Sequence, residues 1–156
     1  MYPTVLLLAF CLDSASIASP AWNRDYDAAR RTAAATNKPL AVFIASGSDG
    51  WTNLCKEGEL KPEVRRLLTQ HYVCLYVDAT APAERELARS FEASSAPLLV
   101  LSDHSRAYQA YRHAGVLTNS SLAQLLQRYS SSEAFAAQQE QAVVRPVVYE
   151  SVPCRS

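Results

Sequence analysis

The sequence predicts one α/β domain built on a central four-stranded mixed sheet flanked by helices. Three observations carry this. Residues 40–45 (Leu-Ala-Val-Phe-Ile-Ala) and 72–77 (Tyr-Val-Cys-Leu-Tyr-Val) are apolar without alternation, as strands covered on both faces are. Segments with apolar residues at helical spacing separate these runs, and strands joined through helices pair in parallel. A third run, 97–101, is followed after a short turn by the weakly alternating stretch 107–112, a link that demands an antiparallel pair.

Taken in order, Trp22, Tyr26, Ala29 and Ala33 recur at helical spacing, and Asn37-Lys38-Pro39 ends that helix before the first buried strand. Ser46-Gly47-Ser48-Asp49-Gly50 breaks the strand. Helical character resumes around residues 53–56, is disturbed at Gly58 and restarts at Pro62, a residue favoured in a first helical turn, with Val64, Leu67 and Leu68 as its apolar stripe. After the second buried strand closes at Asp78, Ala83, Leu87, Ala88 and Phe91 form one helical face. The pair 97–101 and 107–112 follows, the latter as a solvent-facing edge. Leu122, Leu125, Leu126 and Tyr129 mark a final amphipathic helix, with Ser121 and Gln124 spaced as a capping box. Beyond Tyr129 the periodicity fails. Residues 131–156 read as a polar linker and an extended tail with Pro146 and Pro153.

A chain of 156 residues, 49% apolar, is enough for one core. Fifteen basic and fifteen acidic side chains cancel without a Lys/Arg cluster, so neither nucleic acid nor an anionic membrane surface is an expected partner. Residues 5–12 form an apolar run too short to span a bilayer, and Ser16-Ile17-Ala18 offers a signal-peptidase site. Residues 1–18 are therefore expected to be a signal peptide, although no Lys or Arg stands in 1–4 where an export signal ordinarily carries one. A buried N-terminal strand or helix is the other reading. Export to the periplasm or beyond the cell follows from the first, with residues 19–130 as the mature domain and no stable membrane insertion of the mature chain. Cleavage would remove Cys11 and leave Cys55, Cys74 and Cys154, an odd count that implies a free thiol or an intermolecular bridge. No cysteine pair has zinc-ligand spacing, and His71, His104 and His113 stand apart from the cysteines, so neither a metal nor a cofactor is expected.

Trp51-Thr52-Asn53-Leu54-Cys55-Lys56 occupies the junction of the first buried strand and the next helix. It is similar to the Trp-Cys-Gly-Pro-Cys-Lys motif of thioredoxins. With residues 72–78, closing on an Asp, and 91–97, ending in Ala96-Pro97, it makes the span from about 22 to 129 resemble the thioredoxin-like superfamily. Gly47-Ser48-Asp49 before the tryptophan is most like the small exported bacterial members. The resemblance implies the thioredoxin-like fold. It also implies a cis bond at Pro97 and, at Ala96, backbone groups able to pair with an extended peptide.

Three departures bear on activity. Thr52 replaces the nucleophilic cysteine, and a thiolate must attack before a second thiol can resolve. Phe43 stands where many thioredoxins carry a buried Asp, and Gly50 resembles an insertion. Cys55 takes the place of the resolving cysteine, on what would be the first helical turn. It is either a lone reactive thiol or a small buried hydrophobe. Cys74 reads as core and Cys154 as the accessible thiol. Trp51 either lies open beside the motif or covers Cys55. The reading that follows is a non-catalytic module holding a peptide or protein partner at Trp51, Thr52, Ala96 and Pro97. The alternative is a thiol-disulfide oxidoreductase using Cys55 as its candidate catalytic residue, alone or with a cysteine from the tail or a partner.

Overall fold

A computed structural model describes residues 19–93, 97–105 and 109–131. Its elements are β1 (Trp22–Asn23), α1 (Tyr26–Thr36), β2 (Leu40–Ala45), a 3-10 helix (Gly50–Leu54), α2 (Pro62–His71), β3 (Val73–Asp78), α3 (Arg85–Ser90), β4 (Leu98–Ser102), β5 (Gln109–Ala114) and α4 (Asn119–Tyr129). The sheet order is β1-β3-β2-β4-β5. β3 is parallel to both β1 and β2, while β4 is antiparallel to β2 and to β5. The expected signal segment 1–18, Ala96 and tail residues 132–156 lie outside the described residues.

The four expected strands are present with their expected directions, and β1 makes a fifth. Trp22 does not begin the first helix: it pairs with Cys74, and Asn23 pairs with Leu75 while its side-chain amide donates to the Cys74 carbonyl at 3.0 Å. The helix starts only after Asp25, whose carboxylate accepts from the Ala28 N–H at 2.8 Å and satisfies one of the first turn's orphan donors. At the other end Asn37 adopts the left-handed conformation (φ 52°), and its N–H returns to the Ala33 and Ala34 carbonyls.

Every residue of β2 and β3 is buried. The two-residue period of a strand divides them between two cores. Ala41, Phe43, Ala45, Cys74, Tyr76, Leu99 and Leu101 face α2 and α4 with Val64, Leu68, Leu122 and Leu126. Leu40, Val42, Ile44, Val73, Leu75, Val77, Leu98 and Val100 face α1 and α3 with Ala29, Ala33 and Ala88. Only β5 is largely exposed, as an edge strand reading with weak alternation should be.

Boundaries of other elements differ from the sequence reading, and strand β5 ends at Ala114, two residues past the expected end at 112. Helix α3 begins at Arg85, so Ala83 belongs to the preceding turn. The cap of α4 is Thr118, not Ser121: the Thr118 hydroxyl accepts from the Ser121 N–H at 3.1 Å, which starts the helix three residues before the expected capping box.

Candidate functional site

The motif sits at the end of the sheet where β2 and β3 terminate. From Ala45 the chain passes through 46–49 into the 3-10 turn that carries Trp51 and Thr52. Thr52 is half-buried, and its hydroxyl donates to the Asp49 carbonyl at 2.8 Å. A carbonyl cannot accept that proton in a transfer, so the hydroxyl has no base to activate it there.

Cys55 is not on a helix. The 3-10 turn stops at Leu54, Cys55 is extended (φ −105°, ψ 140°), and it forms a parallel bridge with Leu117. The expected helix around 53–56 is pre-empted because its backbone groups are engaged across the fold. Lys56 N–H donates to the Leu117 carbonyl at 2.8 Å, and Leu117 N–H donates to the Leu54 carbonyl at 3.0 Å. The thiol therefore lacks the helix N-terminus that lowers a cysteine pKa in such motifs. Cys55 is 2% exposed. Burial, with the Glu57 carboxylate adding to it, pushes its pKa up to about 11. Cys74, 3% exposed inside β3, is pushed by burial up to about 12, with Lys38 opposing weakly. Both are free thiols.

The loop before the turn is held from three sides. The Asp78 carboxylate accepts from Gly47 N–H at 2.9 Å, Thr80 N–H at 2.9 Å and the Thr80 hydroxyl at 2.6 Å; the two Thr80 bonds are the main reason its pKa is lowered. Arg24 donates to the Ser48 carbonyl at 2.6 Å, lies 4.5 Å over the Tyr76 ring and pairs with Glu84 at 3.8 Å. The Tyr76 hydroxyl donates to the Gly47 carbonyl. Phe43 is fully buried and meets Trp22 edge-on at 5.0 Å. Trp51, half-buried, packs against Trp22 at 5.5 Å.

The fold thus places Trp51 and Thr52 on the 3-10 turn and Cys55 in extended backbone directly after it. Pro97 joins the same end of the sheet, since Leu98 pairs with Ile44 and the Pro97 carbonyl accepts from Gly115 N–H at 2.8 Å. The Ala96–Pro97 peptide bond falls outside the described residues. Leu117, Glu57 and Asn119 were missed by sequence reasoning, yet they decide the environment of Cys55. Asn119 is buried; its side chain donates to the Glu59 carbonyl at 2.9 Å and accepts from Lys61 N–H at 2.8 Å, while its N–H meets the Glu57 carboxylate at 3.2 Å. Its position beside the Thr118 cap was the available signal, whereas Leu117 carries none. Among the described residues no three His, Cys, Asp or Glu side chains gather as a metal site, and no helix is long and apolar enough to cross a membrane.

No protein-family model and no curated protein matches the chain. Solved structures do. A thioredoxin from Thermus thermophilus superposes with a TM-score of 0.58 at 20% identity, covering 86% of this chain and 100% of that one. A variant thioredoxin from Halobacterium salinarum gives 0.52 at 19% identity over 72% and 92% of the two chains. The oxidised C-terminal domain of DsbD from Neisseria meningitidis gives 0.50 at 12% identity over 70% and 99%. The chain has the thioredoxin fold. Similarity at these identities carries architecture and not chemistry, so activity has to be argued from the site. At the turn in this fold, position 52 holds a threonine and the Cys55 thiol is buried.

Proposed function

We propose that this thioredoxin-fold chain is a non-catalytic module that holds a peptide or protein partner at the end of the sheet formed by Trp51, Thr52 and the Ala96-Pro97 segment. One observation carries the reading: Cys55, the only cysteine of the motif, is 2% exposed and pinned in an extended bridge to Leu117. A thiol with a pKa raised to about 11 is almost wholly protonated at neutral pH, and exchange needs the thiolate. Position 52 adds no second thiol. This end of the sheet carries a half-buried tryptophan and a proline that precedes a strand, where a partner's extended backbone can pair. Export of the mature domain from Ser19 is part of the same proposal, supported by the apolar run and the small residues ending at Ala18.

The test is insulin reduction with dithiothreitol. The protein is expected to stay at background, and Cys55→Ala to leave that result unchanged. Turnover by the unmodified chain that disappears in Cys55→Ala would overturn the reading in favour of a monothiol oxidoreductase. Binding is checked on an array of extended peptides, where retention should be lost in a folded Trp51→Ala variant. Equal retention by both would remove Trp51 from the surface.

A further inference from the structure

Cys55 and Cys74 are equally buried, yet the chain encloses them differently. Cys74 lies in the middle of the sheet, opposite Trp22 on one side and Ala41 on the other. Exposing it means separating strands that hold both cores. Cys55 begins a short segment, residues 55–61, that crosses to α2 outside the sheet. Residues 56–59 are exposed, and the segment's own turn closes through Gly58 N–H to the Cys55 carbonyl at 3.0 Å, with Gly58 at φ 77°.

The hydrogen bonds tying this segment down run to one short stretch at the start of α4. Lys56 bonds Leu117, Glu57 receives the Asn119 N–H, and the Asn119 side chain bridges the Glu59 carbonyl and the Lys61 N–H. Leu60, also buried, is its one further apolar anchor. A surface groove of about 360 Å³ lined by Lys61, Val64, Asn119 and Ala123 brings solvent to this fastening.

We propose that residues 55–61 form a strap, fastened by Asn119 and Glu57, that opens as a unit and presents Cys55 to solvent while the sheet stays folded. Segments with few apolar contacts and exposed backbone open at lower free energy than the global transition; this strap has two buried side chains, Cys55 and Leu60, exposed residues 56–59 and only part-buried ties. The thiol is then cryptic: sealed in the resting fold and reachable after a local event. This does not depend on the partner-binding reading, since a silent insulin assay and a gated thiol are separate results.

Peptide-resolved alkylation of the full chain tests it. The intact protein is exposed to iodoacetamide in water and in sub-denaturing urea, and rates at Cys55 and Cys74 are normalised to those of the denatured chain. Cys55 should react at least about tenfold faster than Cys74, with a shallower urea dependence, because less surface is exposed in its opening. Asn119→Ala should raise the Cys55 rate about tenfold further, the effect of losing the two part-buried hydrogen bonds of its side chain, and change Cys74 much less. Glu57→Ala, which removes an exposed side chain, should act in the same direction and serves if Asn119→Ala does not fold. Equal normalised rates and equal urea slopes at the two cysteines would overturn the strap, as would a variant that accelerates both alike.

Discussion

At Gly50 the 3-10 turn passes between Ala45 and the Tyr76 hydroxyl. Its φ lies outside the left-handed region, so alanine would not strain the backbone. The difficulty is space: an added Cβ would lie 2.9 Å from the Ala45 Cβ and nearer still to the Tyr76 oxygen. Tyr76 is fully buried and bonded to Gly47, so neither neighbour can give way cheaply. Gly50→Ala should therefore destabilise by about 1–3 kcal/mol, the usual cost of overpacking, measured by urea unfolding. Combined with Tyr76→Phe, which removes the hydroxyl, the loss should fall short of the sum of the two singles, because they share one contact. Additive losses would place the clash elsewhere. In the sequence this glycine resembled an insertion. Its contact partners, 5 and 26 residues away, are set by the β2–β3 register, which a local pattern does not display.

Helix α4 is the element whose beginning matters most, since the residues just before and at its start hold Cys55. Thr118 and Ser121 are both good N-caps three residues apart, and the apolar stripe of Leu122, Leu125, Leu126 and Tyr129 fits either start. The choice falls to Asn119, whose bonds to Glu59 and Lys61 draw its residue into the helix. Thr118→Ala should cost about 1 kcal/mol, the ordinary price of a lost cap, seen as a lowered urea midpoint with unchanged slope. Ser121→Ala should cost clearly less. A larger loss for Ser121 would mean that the helix starts where the sequence pattern first suggested. Strands β2 and β3, by contrast, were legible to within one residue because unbroken apolar runs of that length have few other uses. The stretch 50–56 was not, because its backbone pairs with Leu117, more than sixty residues on.

For the whole molecule, the first described element starts at Trp22, so a cut after Ala18 would keep every described strand and helix in the mature chain. Expressed with its native N-terminus in a secreting host, the chain should leave the cytoplasm and lose about 2 kDa, the mass of a short signal segment. An uncleaved cytoplasmic product would count against export. The layered order of the fold was already present in the chain as buried strands, intervening helical faces and a tight antiparallel link. Those are local properties: period, run length and turn chemistry each act within a few residues, so the sequence alone determined the α/β class and the directions of the four main strands. It also determined, by composition at a single position, that Thr52 cannot act as the attacking thiol. The state of Cys55 was decided elsewhere. Whether a cysteine on a turn is an activated thiolate or a sealed thiol depends on what covers it and on which backbone groups are free. Leu117 and Asn119, more than sixty residues along the chain, settle both, with Asn119 engaging the nearby Glu57. The fifth strand was decided the same way: two residues too few to show a period became a strand because β3 offered them an open edge.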